Sequence, residues 1–250
     1  FVPCNGRFPT LIMLASIFVG GAVAKEHASL AATLAVVTVV VIGIILTLFV
    51  SALLSRTVLR GEASAFTLEL PPYRRPNIGQ ILYTSVIDRT IFVLWRAMVM
   101  AAPAGALIWI MANVHVGSLS LAAHLAAFLD PLGRAIALDG AILVAYIIAI
   151  PANEIVVPTL LMVYLNQGVM SDIESFEQIR LVLVQQKGWT MVTALSLMTF
   201  CLVHNPCSTT IYTMWKETKS WRWTIIGALL PLALGFALCF LIARGSMLLG

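Results

Sequence analysis

The sequence predicts an all-α fold, a polytopic bundle of about six transmembrane helices, several of them broken. Three observations predict it. The 250 residues are 60% hydrophobic and 10% charged, whereas soluble domains carry about a quarter charged residues. The mean hydropathy is +0.99, so a water-soluble fold of this length would leave apolar surface exposed, and a bilayer removes that problem. Runs long enough to cross a hydrocarbon core of about 30 Å lie near 8–24, 30–54, 97–114, 136–165, 189–214 and 224–243. The first run is short. The chain opens Phe1-Val2-Pro3-Cys4, with neither an initiator Met nor a basic signal segment, which reads as a cut made inside a longer protein.

The net charge of +4 does not point to nucleic acid, because the basic residues are spread between apolar runs rather than gathered in a folded patch. Such residues mark cytoplasmic loops. Residues 55–90 carry Arg56, Arg60, Arg74, Arg75 and Arg89 around Leu70-Pro71-Pro72-Tyr73. Within them, Asn77–Arg96 mixes Ile78, Ile81, Leu82, Ile87 and Phe92 with polar residues, the pattern of an interfacial helix before it dives. Residues 115–135 read as a connection with two histidines. Residues 166–188 read as a polar one, with Asp172, Glu174 and Glu177 opposite Arg180 and Lys187. Trp215–Trp223 reads as a basic, aromatic interface belt. Alternate threading of six spans puts Arg7, the 55–90 arginines, Arg180, Lys187 and Arg244 on one side, taken as cytoplasmic. Lys25, Arg134, Lys216, Lys219 and Arg222 fall on the other.

Three stretches carry helix breakers and polar groups at membrane depth: Pro3–Pro9, Pro151–Glu154 with Pro158, and His204–Thr210. Proline removes a backbone donor and clashes with the preceding turn. Unpaired backbone is tolerated in a bilayer only where protein or a water-filled cavity satisfies it, and transporters build substrate sites from such breaks. Pro3-Cys4-Asn5 and Pro206-Cys207-Ser208 echo each other, each leading into a helix, as an internal repeat would.

Glu154 is a carboxylate within a central span, an arrangement that ordinarily faces an interior path or a partner; the bland alternative is a paired structural acid. Cys4 and Cys207, each beside a break, read as soft ligands, although a cysteine alone is often a small buried hydrophobe. His204 lies three residues from both Cys201 and Cys207 and reads either as a ligand or as a satisfied interior group. Asn5, Asn153, Ser208 and Thr209 offer neutral donors. His27, His115 and His124 receive no role, and Met162, Met170, Met191, Met198 and Cys239 read as packing. The four cysteines form no CxxC pair, which argues against a disulfide framework or a structural zinc site. Thiol, imidazole and carboxylate together suit a first-row divalent ion better than Mg²⁺ or Ca²⁺; iron, zinc and manganese stay open on the residues alone.

These residues also resemble a known family. Pro3–Pro9, Leu59-Arg60-Gly61-Glu62, Leu68–Arg74, Trp95-Arg96, Asn153–Val156, Pro206–Thr210, and Lys216-Glu217-Thr218 with Ser220-Trp221 are similar to the transmembrane region of the FeoB family of prokaryotic ferrous-iron transporters. The resemblance spans nearly the whole chain. It implies uptake of Fe²⁺ as transported substrate across a bacterial or archaeal inner membrane. It implies two gate repeats whose cysteines, matched by Cys4 and Cys207, line the ion path, with Glu154 as the acid of the second. It divides the chain into a first gate half (1–54), a basic cytoplasmic loop with an interfacial helix (55–96), and a second gate region with C-terminal spans (97–250). The chain departs from the family in having no GxxxxGK[ST] phosphate loop. GTP hydrolysis is therefore expected in a G-protein domain in cis or in trans, and this chain is read as a non-enzyme with no GTP site. Further expected partners are the lipid bilayer, small cytoplasmic Feo accessory proteins and further copies of the chain. The readings set against iron transport are a permease for nucleosides or another solute, and a membrane sensor or scaffold without flux.

Overall fold

The computed structural model describes residues 1–57, 77–117, 119–165 and 176–249. The expected motifs at Leu59–Glu62 and Leu68–Arg74, the arginines at 60, 74 and 75, Met170, Asp172 and Glu174 lie outside the described residues. The chain runs α1 (Phe8–Leu14), α2 (Ala28–Thr57), α3 (Ile78–Tyr83), α4 (Phe92–Asn113), a two-stranded pair β1 (His115–Val116) and β2 (Leu119–Ser120), α5 (Leu121–Ala135), α6 (Gly140–Ile148), α7 (Val156–Leu165), α8 (Phe176–Arg180), α9 (Met191–Val203), α10 (Ser208–Thr218) and α11 (Trp221–Leu249). The helix bundle stands as expected. Among the described residues, the departure from an all-α chain is the β1–β2 pair, antiparallel with His115 opposite Ser120, with Gly117 at φ +71° in the turn.

Two kinds of helix divide the work. α2 has 30 residues, about 45 Å at 1.5 Å per residue. Its Leu34, Val41, Ile45, Leu48 and Phe49 are exposed, and its buried positions are Ala32, Gly43 and Val50. α11 behaves likewise, exposing Ile225, Leu229 and Leu241. Such apolar outer surfaces belong against lipid. Inside lies a core of short helices. α6 buries eight of its nine residues, from Gly140 to Tyr146 with Ile148, and α9 buries Leu197, Met198, Phe200, Cys201, Leu202 and Val203. α1, with Leu11 and Leu14 fully buried, packs against α9. Met162, Met198 and Cys239 are core, as expected, whereas Met191 is exposed.

Three helices are long and apolar enough to cross a membrane among the described residues: Ala28–Thr57, Met191–Thr218 and Trp221–Leu248. The run at 136–165 is not one span. It is α6 and α7, separated by a turn at 149–152 and a 3₁₀ turn at Asn153–Ile155. At nine and ten residues each reaches only about 15 Å, half the hydrocarbon thickness. The expected connection at 115–135 is instead largely α5, which turns by 112° into α6 to make a bent pair. That pair interrupts the regular alternation on which the two-sided sorting of basic residues rested. Part of the expected polar connection before residue 188 is helical too: Ile179, Val182 and Leu183 enter the core, because their apolar spacing wins over the charges between them.

The α5–α6 turn is built for close approach. Asp139 caps α6 by accepting from Ile142 N at 2.8 Å. Asp130 accepts from Gly140 N at 3.2 Å and pairs with Arg134 at 2.6 Å. The free oxygen of Asp139 accepts from the Tyr164 hydroxyl, which accepts in turn from Trp189 Nε1 at 3.0 Å. α3 runs into α4 through a π turn at Thr84–Ile91, so the expected interfacial helix and the following span form one helical stretch. Trp215 and Trp221, with ring centroids 5.5 Å apart, flank the tight α10–α11 turn at Lys219 (φ +50°).

The crossing at Gly140 supplies a stability test. A Cβ there would lie 1.8 Å from Ala126 O and 2.7 Å from Asp130 N, both backbone atoms that cannot step aside. Gly140→Ala is expected to destabilise the intact protein by about 1–3 kcal/mol or more, the usual cost of overpacking, seen as a lowered thermal unfolding midpoint in detergent. Gly21→Ala, with nothing within 4 Å of the added Cβ, is expected to change stability by less than about 0.5 kcal/mol.

Candidate functional site

The three breaks meet. The first precedes α1, where Arg7 N donates to Cys4 O at 3.0 Å and closes a turn. The second joins α6 to α7. The third ends α9 at His204, whose ψ of 169° carries the chain out of the helix, and Cys207 then stands at the N-cap of α10 with ψ 162°. Pro206 cannot continue α9 and disfavours a helical Asn205, so the last carbonyls of α9 have no helical donors.

Those groups are satisfied by the other breaks. Arg7 is buried, 8% exposed, and its guanidinium donates to the carbonyls of Leu202 at 2.9 Å, His204 at 3.2 Å and Asn205 at 3.1 Å. A planar five-donor fork at the negative end of a helix is suited to this work. Ser208 N donates to Ile150 O at 2.9 Å, tying the third break to the second. Asn153, 7% exposed, spans all three, with its amide nitrogen 3.7 Å from Cys4 Sγ and its oxygen 3.3 Å from His204 Nε2. His204 Nδ1 lies 3.1 and 3.0 Å from the carbonyls of Phe200 and Cys201. Carbonyls only accept, so Nδ1 carries a proton. A half-turn of the Asn153 amide then lets its nitrogen donate to Nε2 and its oxygen accept from the Cys4 thiol.

A cavity of about 340 Å³ opens where the breaks converge, and Cys4, Asn153, His204, Cys207, Arg7 and Thr210 are among its lining residues. Four of the residues expected at the site thus share one cavity. The Cys207 sulfur lies 3.0 Å from Thr209 Oγ1 and 3.3 Å from Thr210 Oγ1. Ser208 sits in the third break with its hydroxyl buried and unpartnered. His204 is tightly packed, stacked on Phe200 at 5.8 Å and edge-on to Tyr146 at 4.6 Å. Asn5 and Glu154 are exposed and are not among the cavity's lining residues. The Glu154 carboxylate lies against Gly6, where an added Cβ would sit 2.6 Å from its Oε1. Among the described residues, no three His, Cys, Asp or Glu side chains group as ligands for a metal.

Besides Glu154 and Asn5, which stand outside the cavity, two further placements differ from expectation. Arg7 belongs to the interior rather than to a loop facing the cytoplasm. Thr210, expected only as part of a motif, lines the cavity in place of Ser208 and Thr209. The signal that could have found Arg7 is its position between Pro3 and Pro9: a charge inside a break faces carbonyls that lack donors.

The chain is thus a helical membrane bundle whose broken helices meet around a thiol-bearing cavity, and comparison with known proteins gives its family. A family model described as "Nucleoside recognition", the gate family, matches residues 94–221, and the chain belongs to that family. A second model, described as "Ferrous iron transport protein B C terminus", matches residues 36–88; together they make the chain a FeoB-type C-terminal transmembrane region. It is 28% identical over 251 residues to the Fe(2+) transporter FeoB of Staphylococcus aureus (strain MSSA476), covering 96% of this chain and 34% of that protein. It is 27% identical over 204 residues to the Fe(2+) transporter FeoB of Synechocystis, covering 80% and 32%. A Porphyromonas gingivalis protein named as a fusion of Fe(2+) transport protein A and FeoB is 24% identical over 289 residues, covering 98% and 33%. The chain spans about a third of the length of these curated relatives. No solved structure matches.

Asn153→Leu tests the junction. It removes the one side chain that bridges Cys4 and His204 and leaves His204 Nε2 buried without a partner. The expected loss is about 1–3 kcal/mol, the cost of orphaning a buried polar group, measured as thermal stability in detergent. Full stability would show that the bridge contributes nothing.

Proposed function

We propose that this chain is the membrane-embedded, ion-conducting part of a ferrous-iron uptake transporter in a bacterial or archaeal inner membrane. The observation that carries the reading is the convergence of Cys4 and Cys207 on one cavity, with Asn153 and His204 in the same walls, at the junction of three helix breaks. Thiols beside amide and hydroxyl groups suit a borderline divalent ion such as Fe²⁺ better than Mg²⁺ or Ca²⁺. The curated relatives named above are Fe(2+) transporters, which supports the same substrate.

In this reading Fe²⁺ sheds part of its hydration shell to Cys4 and Cys207. Asn153 and Thr210 supply neutral donors from the cavity wall, Ser208 and Thr209 stand in the third break outside its lining, and Glu154 and Asn5 stand outside the cavity beside the first break as the approach. Binding must stay weak enough for release, which a sparse donor set favours. The chain itself performs no catalysis; GTP hydrolysis belongs to a G-protein domain in cis or in trans. The named fusion to transport protein A in a relative supports an accessory protein of that kind as partner. The chain divides into a first gate half, a basic cytoplasmic connection and a second gate region. A nucleoside would call for an aromatic platform, and Phe1 is the aromatic residue among the cavity's linings.

The test is anaerobic Fe²⁺ uptake into proteoliposomes holding the intact protein, with GTP supplied. Cys4→Ser, Cys207→Ser and Glu154→Gln are each expected to lower uptake about tenfold or more, the scale on which disturbing a metal's immediate surroundings acts. Wild-type uptake in all three would remove these side chains from the path. Gly6→Ala is expected to reduce uptake at nearly unchanged stability, since the added methyl displaces only the flexible end of Glu154.

A further inference from the structure

The contacts of Arg7 exceed what joining two breaks requires. Three carbonyl oxygens, from Leu202, His204 and Asn205, converge on one guanidinium at 2.9–3.2 Å. Convergent carbonyls at the end of an interrupted helix are what a partly dehydrated cation binds in channels and transporters. The negative end of α9 adds to that field. Among the described residues no carboxylate pairs with Arg7, since the ion pair found there is Asp130 with Arg134. Its Nε is buried with no partner, so the side chain is held through one edge of its fork. Arg7 also lines the same cavity as Cys4 and Cys207.

We propose that Arg7 is a tethered cation that occupies a carbonyl site of the ion path in the resting state. The inference rests on the transport reading above. A guanidinium and a divalent ion cannot share three oxygens, because like charges repel strongly at that spacing outside bulk water. An ion that reaches the carbonyls of Leu202, His204 and Asn205 must therefore move Arg7 aside, and Arg7 returns when the ion leaves. This makes Arg7 a plug against leakage as well as the donor that satisfies the end of α9.

The test has two arms, both on the intact protein in proteoliposomes. In the first, Arg7→Met keeps much of the side-chain volume and removes the charge and donors. Each charge-assisted hydrogen bond lost is worth about a factor of ten in an equilibrium, so Fe²⁺ leak without GTP is expected to rise about tenfold or more while a trapped dye is retained. Structural damage alone would lower GTP-driven uptake and would not raise a selective resting leak. In the second arm, wild-type protein is treated with an arginine-directed dicarbonyl reagent, and modification of Arg7 is read by mass spectrometry with and without Mn²⁺ as a redox-stable probe. Labelling is expected to be slow alone and about tenfold faster with Mn²⁺, following the same equilibrium. A wild-type resting leak in a dye-tight Arg7→Met, or labelling indifferent to Mn²⁺, overturns the proposal. If Arg7→Met does not hold the dye, the labelling arm decides. If wild-type vesicles take up no Fe²⁺ even with GTP, the transport reading fails, and the labelling arm still judges the carbonyl site.

Discussion

A helix interrupted inside a bilayer must find partners for its severed backbone, and the rest of this molecule is arranged around that constraint. Water is not at hand in the hydrocarbon, and each unsatisfied group there costs several kcal/mol. The solution here is mutual. Carbonyls freed at the end of α9 are taken by Arg7 from the first break, a carbonyl freed after α6 is taken by the amide of Ser208, and Asn153 reaches the other two breaks at once. Each break takes at least one of its partners from another break. The three irregular segments are therefore one structural unit, and the cavity between them follows from that interlocking.

Much of this was legible in the sequence. Membrane residence follows from composition, and the breaks were visible because Pro3, Pro151 and Pro206 stand beside polar residues in apolar surroundings. Cys4, Asn153, His204 and Cys207 could be nominated individually because a thiol, amide or imidazole at such depth is costly without a purpose. Their meeting in one cavity is a tertiary fact, set by the way α1, α6 and α9 pack, and no spacing along the chain encodes it.

What could not be read has equally physical causes. α5 and α6 together form a bent pair, but hydropathy records only apolar length and is blind to a reversal made by Gly133, Asp139 and Gly140. Counting charge toward the aqueous side places Arg7 among loop cations, whereas three carbonyls without helical donors can solvate a guanidinium inside the protein. Glu154 was expected inside and lies exposed beside Gly6; the turn that buries Asn153 sends the next side chain the other way.

The wide π turns carry a geometric consequence of their own. One follows α1 at Ala15–Val19, another follows α3 at Thr84–Ile91, and a third follows α8 at Leu181–Gln186. A π bulge holds one residue more than an α turn, and one residue is worth about 100° around the axis. Side chains beyond such a turn point in directions that a uniform helical wheel assigns to the wrong face. At Thr84–Ile91, where the helix runs on into α4, a single rod can therefore show one flank before the bulge and a different flank after it.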